Sequence, residues 1–170
     1  MTTKQLNKKF GMPNKTGEGY LVLIDIPYPM RLAWDTSIKV NRISCHKDVA
    51  NNILQVFKDL LHHYGLEKIQ ELGIDLYGGM FMYRPKRGLE KKYIKAIEAG
   101  DLELASTYLS NHSWGTAIDL DPARNLLRES KKTARFARPE YKPMIDIFYC
   151  NGFESLGVEK DYDWMHFQAT

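Results

Sequence analysis

The sequence predicts an α+β fold: a single domain with a central, mostly antiparallel β-sheet flanked by helices. Three observations carry that expectation. By the scaling of folded surface with mass, a chain of 170 residues buries about 70% of its extended surface, enough for one core and cramped for two. A composition that is 44% hydrophobic and 26% charged excludes a disordered, collagen-like or low-complexity chain. Strand and helix candidates do not alternate regularly, which favours an antiparallel sheet with segregated helices over a doubly wound fold.

Taken in order, residues 20–24 and 38–44 are short segments rich in β-branched and aromatic side chains and read as strands. Residues 46–64 read as an amphipathic helix, because Val49, Ile53, Val56, Phe57, Leu60 and Tyr64 recur at three- and four-residue spacings. Ser44 can cap its start and Gly65 its end. Residues 74–83 form the next strand candidate. A helical region over 89–109, broken at Gly100-Asp101, has Ile94, Ile97, Leu102, Ala105 and Leu109 as its buried side. Residues 116–120 and 164–168 complete the strands. Between them, residues 141–151 read as a helix that stops at Gly152 and tolerates Pro143 in its first turn.

No apolar run approaches the roughly 18 residues of a transmembrane helix, so stable membrane insertion is not expected. Lysines occur within residues 1–10, but no apolar stretch of a signal peptide follows them. Synthesis in the cytoplasm without an export signal is the expectation. Cys45 and Cys150 lack the spacing of a disulfide scaffold and read as two reduced core cysteines. A net charge of +3 names no partner by itself. Arg124, Arg128, Lys131, Lys132, Arg135, Arg138 and Lys142, opposed only by Glu129 and Glu140, could hold an anionic polymer or form a solvated loop. No recognition helix or zinc finger accompanies them, so nucleic acid is not an expected partner.

Five histidines are available for metal or acid–base chemistry. His46, His62 and His63 lie in or beside the first helix and read as surface or boundary residues. His62 and His63, being neighbours, point about 100° apart on a helix and cannot serve one face. His112 opens the segment Ser110-Asn111-His112-Ser113-Trp114-Gly115-Thr116-Ala117-Ile118-Asp119. On an uninterrupted strand the odd spacing sends His112 and Asp119 to opposite faces. A turn at Gly115 can reset the register, letting the two converge while Ile118 and Leu120 enter the core. His166 follows Asp163 by three residues; if 164–168 is a strand, Asp163 lies in the turn before it. Two histidines and a carboxylate make the three-ligand set of a catalytic zinc with an open fourth position. A second carboxylate is what such a site needs to accept a proton from water. Spacing alone leaves open whether these are ligands or structural histidines in polar clusters.

Ser110-x-His112-x-x-Gly115-x-Ala117-x-Asp119 followed by Asp163-x-x-His166 resembles the signature of zinc D,D-carboxypeptidases and L-alanyl-D-glutamate endopeptidases of peptidoglycan, including phage endolysins. Tyr77-Gly78-Gly79 and Arg84-Pro85-Lys86-Arg87-Gly88 resemble the segment upstream of the histidine motif in phage-type members. The resemblance spans residues 74–168. It implies an α+β peptidase fold, one Zn²⁺ held by His112, Asp119 and His166, and Asp163 as general base and then general acid. Arg84 is implied as the residue that binds the substrate carbonyl and its oxyanion, with Arg87 the alternative. Ser110 and Trp114 are weaker candidates for contacts in or around the site.

The resemblance further implies a monomeric enzyme whose partner is bacterial peptidoglycan, reached from the cytoplasm through a separate membrane lesion. The expected organisation is one catalytic domain over residues 1–170, with no separate wall-binding domain. The expected activity is hydrolysis of a peptide bond in peptidoglycan stem peptides by a phage or prophage lytic endopeptidase of the L-Ala-D-Glu type; D,D-carboxypeptidase activity and a non-catalytic wall-binding module that retains a zinc site are the alternatives. Two features depart from the pattern: a charged helical insert lies between Gly88 and Ser110, and Gln168 stands where a carboxylate often follows the histidine.

Overall fold

Leu21–Leu32 (β1) and Asp35–His46 (β2) form a long antiparallel hairpin in the computed structural model, which describes residues 1–170. Both strands outrun the segments expected from residue type. Pro27 and Pro29 obscure β1, since proline cannot donate to a ladder; the pairing with β2 shifts register between Asp25 and Met30 to accommodate them. Leu76–Gly79 (β3) adds to the other side of β1 in parallel. Ala117–Leu120 (β4), Phe153–Ser155 (β5) and His166–Ala169 (β6) then complete a six-stranded sheet in the order β2-β1-β3-β4-β6-β5. Every pairing except β1 with β3 is antiparallel, as the α+β expectation requires.

All three helical regions expected from the sequence are present with shifted bounds, and two further helices, at the N-terminus and near the C-terminus, join them. Thr3–Phe10 (α1), unread in the sequence, is closed at its start by a reciprocal capping box between Thr2 and Gln5. The first predicted helix begins later and ends later: Ala50–Leu72 (α2) follows a 3₁₀ turn over Lys47–Val49, breaks at Gly65 and resumes to Gly73. Glu90–Glu98 (α3) and Leu102–Thr107 (α4) flank the predicted break. Lys142–Cys150 (α5) has Pro143 in its first turn, and Leu156–Lys160 (α6) is a further short helix. The main core joins α2 and α5 to one sheet face, with Ile53, Phe57 and Phe148 packed alongside Ile118, Phe153 and Phe167.

Three expected core positions are corrected by exposure. Ile94 and Leu102 are 53% and 63% exposed, and Ile97 is exposed as well. The α3–α4 pair is a surface excursion that buries only Ala96, Ala105 and Ser106 of its two helices, so its apolar stripe is wider than the face it covers. Cys45 is buried as expected, but Cys150, at the end of α5, is exposed. His46 is buried rather than peripheral: it ends β2, its Nδ1 accepts from the Asp48 N–H, and its ring stacks on Tyr20.

Candidate metal centre

The predicted register change occurs as a 3₁₀ turn over Asn111–Trp114, closed by Gly115 at φ 69°. Any side chain at 115 would be strained by that dihedral, and its Cβ would lie 2.9 Å from the backbone nitrogen of His46. Beyond the turn, β4 alternates: Ile118 and Leu120 join the core while Ala117 and Asp119 face the other way. Cross-strand pairing then sets Asp119 directly opposite His166 on β6. On the other side of β4, Gly78 permits close approach, since a Cβ there would be 3.1 Å from both the Cβ and the carbonyl oxygen of Asp119. Asp163 occupies the turn before β6 at φ 57°, and its carbonyl accepts the His166 N–H at 3.0 Å.

These elements bring His112, Asp119 and His166 together, with one donor atom from each inside 4.8 Å. Asp119 Oδ1 lies 3.2 Å from His112 Nε2 and 3.0 Å from His166 Nδ1. His112 Nδ1 faces the Met80 carbonyl at 3.0 Å. A carbonyl only accepts, so Nδ1 carries the hydrogen of the neutral ring and Nε2 presents a lone pair. That buried Nε2 has no hydrogen-bonding partner; it points at a carboxylate, an arrangement that costs free energy unless a cation or proton lies between them. Ligand atoms on a tetrahedral Zn²⁺ at about 2.0–2.1 Å are roughly 3.3 Å apart, close to both Asp119 contacts. The donor set fits a divalent metal on distance, on burial and on the orphaned nitrogen.

Electrostatics divide the two carboxyl groups. Burial opposes ionisation of Asp119, but the nearby charges of His112 and His166 and the hydrogen bond with His166 outweigh it and hold the carboxyl well below its usual range. Burial pushes Asp163 up from its ordinary 3.8, with Asp119 adding to the rise and His166, His112 and Arg87 opposing it. Two carboxyls with separated proton affinities are suited to different tasks, one holding charge and the other exchanging a proton. For His166, burial disfavours protonation, but hydrogen bonding and charge from Asp119 raise it above 6.5 in the metal-free protein.

A cavity of about 550 Å³ opens on Asp119, Asp163 and His166. Arg84, Arg87 and Ser110 also line it, together with Lys86 and Arg128. None of these four cations forms an ion pair within the chain, whereas Arg31, Arg42 and Arg124 are all paired with aspartates. Arg84 donates to the Pro85 carbonyl, while the Arg87 charge reaches Asp163.

Trp114 does not line the cavity. It is buried against Leu6 and Leu109, and its Nε1 donates to the Gly11 carbonyl, which makes it the anchor of α1. The basic run is also not one surface: Arg124 pairs with Asp121, Arg135 donates to the Tyr141 hydroxyl, and Lys142 pairs with Asp146. Sequence reasoning missed Ser113, whose Oγ ties the turn to the backbone of Arg84. It also missed Asn111 and Glu154, which meet Gln168; Glu154 lies twelve residues before His166, and no local signal marks it.

Residues 104–169 match a peptidase family model described as D-alanyl-D-alanine carboxypeptidase. No curated protein and no solved structure matches the chain. The matched segment contains His112, Asp119, Asp163 and His166, whereas Arg84 and Arg87 precede it. The match and the three converging donor groups support a metallopeptidase. No helix is long and apolar enough to cross a membrane.

Proposed function

We propose that this chain is a zinc metallopeptidase that hydrolyses a peptide bond in peptidoglycan stem peptides, as a phage or prophage lytic endopeptidase of the L-Ala-D-Glu type. The observation that carries the reading is the unpartnered His112 Nε2, which converges with Asp119 and His166 beside a separate carboxyl group, Asp163. A zinc ion held by those three residues would supply Lewis acidity, lowering the pKa of a water towards about 7 and polarising a carbonyl. Asp163, in its ionised form, accepts the proton of the attacking water and returns it to the leaving amine. Arg84 donates to the carbonyl oxygen as negative charge develops there; Arg87 sits in the same cavity as the alternative donor. The unpaired cations suit a substrate that carries carboxylates, as stem peptides do.

D-alanyl-D-alanine carboxypeptidase activity is the second reading, favoured by the description of the matched family model. Purified protein added to peptidoglycan sacculi, in zinc buffer and with a chelator, tests both. Zinc-dependent appearance of new amino termini is expected, with mass spectrometry locating them on the D-Glu residue. Release of free D-Ala instead selects the carboxypeptidase reading. Absence of any cut in zinc buffer overturns the enzyme assignment.

A further inference from the structure

Gln168 lies two residues beyond His166 on β6, so the two side chains share a sheet face. Across the neighbouring strands it is paired with Ala117 on β4 and with Glu154 on β5. The small alanine leaves space for the amide, which is 7% exposed. Every polar end of this amide is engaged. Gln168 Nε2 donates to Glu154 Oε1 at 2.7 Å, while Oε1 accepts from Asn111 Nδ2 at 2.7 Å and faces His166 Nε2 at 3.1 Å.

The direction of these hydrogen bonds follows from the groups themselves. An ionised carboxylate only accepts, so Glu154 requires the amide nitrogen on its side and turns the amide oxygen towards His166. Asn111 supplies a second donor to that oxygen and opposes rotation. A carbonyl oxygen cannot donate, so His166 Nε2 carries the hydrogen of the neutral ring. Its Nδ1 lone pair is thereby directed at Asp119 and the ligand position. Met80 does the corresponding work for His112 from the opposite ring nitrogen.

We infer that Gln168, oriented by Glu154 and Asn111, is a positioning residue that sets the His166 tautomer and thereby the zinc affinity of the centre. The inference rests on the metal-peptidase reading above. It assigns Glu154 a part in metal binding although that residue touches no ligand. Partners of this kind are worth about 10–100-fold in metal affinity or activity.

The test measures zinc affinity by competition with a chromophoric chelator and reads the His166 tautomer by long-range ¹H–¹⁵N correlation in the metal-free protein, at a pH where the ring is neutral, since zinc on Nδ1 would itself impose the Nε2–H form. Gln168→Leu should weaken zinc about 10–100-fold and remove the single Nε2–H signature. The exchange pair Gln168→Glu with Glu154→Gln preserves the hydrogen bond with donor and acceptor reversed. It should restore zinc affinity to within about tenfold of the original protein and recover the tautomer. Equal affinity and tautomer in Gln168→Leu overturn the inference. Should Gln168→Leu fail to fold, the exchange pair decides: weakening beyond that range, or loss of the Nε2–H form, overturns it. Failure of the unaltered protein to bind zinc is a distinct result, which removes the metal reading itself.

Discussion

Gly115→Ala perturbs the hinge on which the metal centre depends, and its cost can be worked from the structure. At φ 69° an alanine pays about 1–2 kcal/mol for the left-handed conformation. Its Cβ would also stand 2.9 Å from His46 N and 2.7 Å from a methyl of Leu21. The leucine can turn away. The backbone of β2 is held by the His46 N–H donating to the Gly115 carbonyl at 2.9 Å, and displacing it forfeits a hydrogen bond worth about 1 kcal/mol. Alanine restricts the unfolded chain and returns about 0.4–1 kcal/mol, leaving a net destabilisation of about 2 kcal/mol, or about 4–8 °C in Tm for a chain of this size. The same shift moves His112 relative to Asp119, so zinc affinity should fall by at least about tenfold. Gly100→Ala is the matched control, because Gly100 has φ 73° but no atom within 4 Å of an added Cβ; it should lose only a fraction of this stability and bind zinc normally. Thermal melts and chelator competition on both variants check the argument. Indistinguishable zinc affinities for the two variants would refute it.

Asp163→Asn keeps the shape and accepts a positive φ as readily as aspartate does, so it should bind one zinc yet lose about 10²–10⁴ in kcat; retention of more than a tenth of the rate contradicts a proton-transfer role. Arg84→Ala should lose about 10²–10³ in rate with zinc still bound and Arg87→Ala much less, whereas the reverse order transfers the oxyanion role to Arg87. In metal-free protein, Asp119 is depressed below 3.8 and His166 raised above 6.5. The Asp119 contribution is therefore present above 3.8 and lost as pH falls through its folded value; that of His166 is present below 6.5 and lost as pH rises through its folded value. Urea unfolding in chelator should show greatest stability between about pH 4 and 6.5, and zinc should abolish the alkaline decline; a profile that declines on neither side of that range counts against the Asp119–His166 pairing.

What was legible in the chain follows from where the information lies. His112, Gly115 and Asp119 fall within one short segment, and Asp163 and His166 within another, so residue type and spacing reveal both halves of the centre. The turn at Gly115 was readable because an odd spacing cannot serve one strand face without it. The supporting shell was not readable, because Glu154, Gln168 and Asn111 meet only through the register of β5 against β6 and the return of the 111–114 turn. Trp114 illustrates the same limit in reverse. Its place beside His112 suggests the site, but α1 arrives from the far N-terminus to bury it, and Leu6 is that helix's only fully buried apolar side chain. The prolines hid the length of β1, and the apolar stripe of α3 and α4 gave no sign that only a narrow edge would be covered.

The claim on which the account turns is that His112, Asp119 and His166 hold a metal ion. Anomalous diffraction at the zinc edge from zinc-loaded crystals addresses it directly. The account predicts one strong peak per chain, about 2.0–2.2 Å from His112 Nε2, His166 Nδ1 and an Asp119 carboxylate oxygen, with Asp163 nearby but not coordinated. No peak at that position, or a peak held by other residues, would contradict it.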